Sequence, residues 1–127
     1  MKSTSGAFGY ADLSDVSASG LNYASIQNGA KQFIKPDVRS AKAFLAVQRV
    51  NYKTGIMTFD YKAQVRGGYP ISLIAYAMAY KNGNKVVQSY LNAFVNTCAP
   101  AEAAKLSYVA IDGKLKTAAL DLIEQIG

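Results

Sequence analysis

The sequence predicts an α/β protein: a layered α/β/α sheet with helices covering both faces. Three observations carry this. Strand-like apolar runs alternate with amphipathic helical runs along the chain. The stretch "YPISLIAYAMAY", Tyr69 to Tyr80, is apolar at odd and even positions alike, as a central strand covered on each side must be. And the 127 residues are 50% hydrophobic and only 17% charged, enough for one domain with a real core.

The elements follow in order. Gly6 to Ala11 reads as a short buried strand. Asp12 and Asp15 then fall in a Ser-rich loop, where capping or solvation suits them. "LNYASIQ", Leu21 to Gln27, alternates weakly as a strand does. "KPDVRSAKAFLAVQRV" predicts the first clear helix: Pro36 suits its first turn, Asp37 complements its dipole, and Val38, Ala41, Phe44 and Leu45 make its inner face. "GIMTFDY" alternates again, with Met57, Phe59 and Tyr61 on one side and Ile56, Thr58 and Asp60 on the other.

"RGG", Arg66 to Gly68, is a break before the Pro70–Tyr80 strand. "KNGN" is a turn whose Asn84 caps the next helix. That helix carries Val86, Val87, Tyr90, Leu91, Phe94, Val95 and Cys98 on one face, and Pro100 ends it. "SYVAI" reads as a brief strand. Asp112 caps a terminal helix with Leu115, Ala118, Ala119, Leu122, Ile123 and Ile126 inward.

The chemistry is narrow. There is no histidine, so neither a Ser-His nor a Cys-His pair exists and metal sites lose their commonest ligand. The single Cys98 forms no internal disulfide and reads as a small buried hydrophobe. No Walker loop or dinucleotide fingerprint is present, and no cofactor, metal site or catalytic residue is expected. The net charge of +6 favours anionic partners, but the lysines are scattered; only Lys81/Lys85 and Lys114/Lys116 sit close, so nucleic acid is not expected. The opening "MKSTSG" has no apolar leader character. Two places suit an oxyanion. Ser3, Thr4 and Ser5 offer hydroxyls and backbone N–H groups, with a frayed polar terminus as the alternative. Arg66, beside two glycines, suits bidentate pairing, with a solvated loop arginine as the alternative.

The order of the pieces is more specific than any one of them. "GAFGY" (Gly6 to Tyr10), then "LNYASIQNGAKQFIKP" with Leu21, Tyr23, Ala24, Ile26 and Asn28, then Tyr69-Pro70-Ile71, then "AAKLSYVAIDGKL" with Leu106, Tyr108, Val109 and Ile111, resembles the C-terminal half of the PstS-like phosphate-binding proteins of ABC importers. Ser107, Ala110 and Asp112 depart from the family's Gly and Pro at turn positions. The resemblance implies part of a type II periplasmic-binding-protein-like fold, with the crossover between two lobes near residues 66–72 of a single 1–127 unit. It implies a non-catalytic solute-binding-protein fragment, extracytoplasmic, whose parent holds inorganic phosphate or a similar oxyanion and serves a membrane permease. The family's own phosphate-holding residues lie upstream of "GAFGY" and map onto nothing here, so tight phosphate binding by this chain is not expected. A structural or protein-interaction module reusing the scaffold is the alternative. Pieces of two lobes leave sheet edges open, and a homodimer is expected, with exchange of C-terminal helices as one route to it.

Overall fold

The computed structural model describes residues 3–127; Met1 and Lys2 of the opening segment lie outside them. Helices and short antiparallel strands both occur, so the fold is mixed α/β in the general sense. Its strands are confined to two hairpins.

The chain begins with a turn and then helix α1, Leu13–Ser19, where the sequence suggested a loop. Gly20, at φ 62°, closes α1: its N–H bonds Ser17 O, and Leu21 N–H reaches Val16 O at 3.2 Å. This is the left-handed helix ending that glycine permits.

Strands β1 (Ile26–Gln27) and β2 (Phe33–Ile34) pair antiparallel, Ile26 opposite Ile34 and Gln27 opposite Phe33. Their loop is closed by Asn28 N–H to Gln32 O at 2.9 Å. Gly29 lies so close to the Lys62–Ala63 backbone that an added Cβ would collide with both carbonyl oxygens. Only a residue without a side chain fits between these two segments.

Helix α2, Val38–Leu45, covers the middle of the predicted helical run, while Arg49–Val50 at the end of that run form a strand instead. Asp37 Oδ1 accepts from Ser40 N–H at 2.6 Å, and Ser40 Oγ accepts from Asp37 N–H at 3.1 Å, a reciprocal capping box. Phe44 is its fully buried anchor, with Val38, Ala41 and Leu45 half-buried beside it. Hairpin β3 (Arg49–Val50) and β4 (Met57–Thr58) follows. The alternation read from "GIMTFDY" holds through Asp60, with Met57 buried and Phe59 half-buried while Ile56, Thr58 and Asp60 face solvent; Tyr61, expected beside Met57 and Phe59, is exposed. Phe44, Phe59 and Tyr61 stack in a triangle with ring centroids 5.8–6.3 Å apart. Gln48, also buried, ties this unit together: it donates to Phe44 O at 2.9 Å and accepts from Asp60 N–H at 2.7 Å.

The three apolar segments expected as strands differ from that reading. Gly6–Ala11, Pro70–Tyr80 and Ser107–Ile111 lie in no helix or strand. Phe8 is 96% exposed, Met78 95% and Tyr80 90%, so the expected burial on both faces does not hold. The reason is pairing. A strand needs neighbours to bond its backbone, and among the described residues nothing hydrogen-bonds the backbone of Pro70–Tyr80.

Helix α3, Lys85–Ala93, starts where Asn84 Oδ1 accepts from Val86 N–H at 2.7 Å. Pro100 does not end the helical run. A π-helical turn, Phe94–Cys98, carries it into α4, Ala99–Glu102, and then a 3₁₀ turn, Ala103–Leu106. The wider turn, with Ala99 N–H bonding Phe94 O, admits a proline that a regular helix would reject. Helix α5, Gly113–Ile123, ends in a 3₁₀ turn, Glu124–Ile126. Asp112 occupies its N-cap position but makes no cap bond; its carboxylate pairs with Lys42 on α2 at 2.5 Å. The C-terminal core is Val95, Ile123 and Ile126, flanked by Leu91, Ile111 and Leu120. Ala118 is fully buried; Leu122 is only half-buried.

Candidate functional site

The two anion candidates are both exposed turns. Thr4–Ala7 closes with Ala7 N–H to Thr4 O at 3.3 Å, with Gly6 at φ 76° in its third position. Thr4 and Ser5 therefore sit on this turn and Ser3 just before it, with all three residues exposed. Arg66 lies in a second such turn, Val65–Gly68, closed at 3.2 Å with Gly67 at φ 72°. Among the described residues, no hydrogen bond or ion pair joins Arg66 to Ser3, Thr4 or Ser5, and none of them is desolvated. Each is a single, water-facing group of the kind that holds an anion weakly.

What positions the Arg66 turn is a buried amide. Asn28, 6% exposed, donates from Nδ2 to Val65 O at 2.9 Å and to Gly68 O at 3.1 Å. Its Oδ1 accepts from Gln32 N–H at 3.0 Å, and Gln32 Oε1 accepts from Gly67 N–H at 2.9 Å. All the polar capacity of the Asn28 side chain that faces the chain is used. These two residues lock the first hairpin to the turn carrying Arg66, and sequence reasoning assigned them no role. The available signal was the Asn28-Gly29 dipeptide, a hairpin-turn cue.

Beyond the turn, Tyr69 N–H bonds Ser40 O at 3.0 Å and Ser72 Oγ donates to Tyr69 O at 2.9 Å. Burial raises the Tyr69 phenol above its ordinary value of 10.0. Tyr76 Oη accepts from Met57 N–H at 2.8 Å, which pins the following apolar segment to the second hairpin.

Cys98 is exposed, correcting its expected burial. The whole face read for this helix differs from that expectation: Val86, Val87, Tyr90 and Phe94, which precede or open the π turn, are exposed too, and of that face only Val95 is buried and Leu91 half-buried. The thiol faces an apolar groove of about 180 Å³ with Phe94, Leu106 and Tyr108 in its walls. A second, polar groove of about 370 Å³ runs along α3 past Gln88, Asn92 and Asn96. Among the described residues no cluster of His, Cys, Asp or Glu could hold a metal ion. No helix of the described residues is long and apolar enough to cross a membrane. Set against known protein families and curated proteins, the chain matches none.

Proposed function

We infer that this chain is a non-catalytic half-domain of a solute-binding-protein scaffold, of the kind found in PstS-like phosphate-binding components of ABC importers, without a tight phosphate site of its own. The observation that supports it most is a coincidence of two independent patterns. The segments that resemble the family's strands, at "GAFGY", Tyr69-Pro70-Ile71 and "LSYVAI", lie outside any strand, and Phe8, Tyr10, Ile71, Leu106 and Tyr108 within them are exposed. In a complete two-lobed protein such segments are central strands of a layered α/β/α sheet, covered by helices from the rest of the chain. Isolated from that cover, they stand open. On this reading the parent is extracytoplasmic, binds inorganic phosphate or a similar oxyanion, and delivers it to a membrane permease.

The exposed placement of Ser3, Thr4, Ser5 and Arg66 supports the second part. A selective oxyanion site needs several donors converging in a dry cleft, and these four are all solvent-exposed. Calorimetric titration with inorganic phosphate at low ionic strength tests it. The expected result is no saturable heat into the millimolar range. Saturable binding at micromolar phosphate, lost in Arg66→Ala, overturns it.

A further inference from the structure

The fold leaves more surface uncovered than a typical folded monomer of its mass. Its accessible area is 9310 Å² for a mass of 13.6 kDa. A folded monomer of that mass exposes about 6,600 Å² by the size scaling of globular proteins. The excess, about 2,700 Å², exceeds the roughly 800 Å² that each partner gives to an ordinary interface, and suits a large obligate one.

Part of the exposed apolar surface lies where the backbone is also unpaired. From Ile71 to Tyr80 every amide lacks a hydrogen-bond partner among the described residues. Leu73 is 79% exposed, Met78 95% and Tyr80 90%. No charged residue occurs from Gly67 to Tyr80, so none of the usual devices that stop a strand from pairing with another is present beyond Pro70 at its start. The segment is held in place at one end by the Tyr69 and Ser72 bonds and near its middle by Tyr76.

We propose that Pro70–Tyr80 is a dimerisation strand, pairing antiparallel with the same segment of a second copy about a two-fold axis at Ala75. The sequence is self-complementary in that register. Leu73 of one copy faces Ala77 of the other, Ile71 faces Ala79, and Ile74 faces Tyr76. Large residues thus meet small ones on one face, and a β-branched residue meets an aromatic on the other. An uncharged strand meets its own copy without like-charge repulsion, although each chain carries +6 overall. Exchange of C-terminal helices is not needed, because α5 already buries Ala118 and Ile123 within its own chain. The inference rests on exposed area and open backbone, and it stands or falls apart from phosphate binding.

Size-exclusion chromatography with light scattering on the whole chain reads the result directly. The expected mass is twice 13.6 kDa at micromolar concentration. Ala75→Lys sets ammonium groups against each other at the axis; the expected result is a two-fold fall in mass with helical circular dichroism retained. In a Cys98→Ser background, Ala75→Cys is expected to form an interchain disulfide on mild oxidation, and Val86→Cys, exposed on α3, is not. This second arm decides the matter if the lysine variant fails to fold. A single-chain mass for the unmodified protein, a mass beyond two chains, a dimer indifferent to Ala75→Lys, or equal cross-linking at both cysteine positions overturns the proposal.

Discussion

Replacing Asn28 with Asp changes one NH₂ group to an oxygen and leaves the shape almost untouched. The two donated bonds, to Val65 O and Gly68 O at 2.9 and 3.1 Å, are both lost. At about 0.5–1.5 kcal/mol net for each, that is about 1–3 kcal/mol. The new oxygen then faces two carbonyl oxygens in a site 6% exposed, which adds a desolvation and repulsion cost of about 1–3 kcal/mol. The total expected at neutral pH is about 2–6 kcal/mol. The accepted bond from Gln32 N–H survives, so the loop does not lose all its support. Protonation restores one donor. Because only the protonated carboxyl can donate, folding raises its pKa above the unfolded value of about 3.9. The native state then binds more protons than the unfolded state, and stability falls as pH rises through that range. Urea denaturation at pH 7 and pH 3.5, each against the unmodified chain at the same pH, measures this. The destabilisation should be largest at pH 7 and should shrink at pH 3.5. An unchanged midpoint at pH 7, or a penalty independent of pH, refutes the buried-amide account of the Arg66 turn.

Ile123→Ala should cost about 2–5 kcal/mol in the same assay, as for a buried aliphatic side chain packed on Val95 and Ile126, and Leu122→Ala should cost less because Leu122 is half-buried. Cys98 should react with a thiol reagent in the native protein within a few-fold of its rate in denaturant; strong native protection would place it back inside. Tyr69 contributes a pH dependence at the alkaline end. Its raised pKa favours the neutral phenol in the fold, so that contribution is present below pH 10.0 and is lost as pH rises from there through the folded value. Tyr69→Phe should flatten the alkaline slope of stability, and an unaltered slope would contradict the assignment.

The helices were legible in the sequence because their signals are local. The acidic Asp37 at the start of α2, the Asn84 cap and the α5 apolar stripe each lie within one or two turns of chain. The α1 helix was missed because its Ser and Asp residues also suit a loop, and none of its residues is buried. Cys98 is exposed together with Val86, Val87, Tyr90 and Phe94 of the same stripe, because helical spacing marks an apolar face but not whether the chain packs against it. The strands were the least legible. An apolar run shows that a segment wants cover on both faces, but not whether the chain supplies it, and Pro70–Tyr80 shows that it does not. The candidate anion residues were chosen by type alone. Their convergence depends on how two distant turns pack, which residue type does not encode.

The central claim is that the apolar segments are strands in want of a partner. Amide hydrogen exchange across residues 71–80, read residue by residue by NMR, tests it most directly. A strand paired with a second copy predicts slow exchange at alternate amides between Ile71 and Ala79, none of which a single chain protects. Exchange at unstructured-chain rates along the whole segment, at concentrations where light scattering finds the mass of two chains, would contradict it.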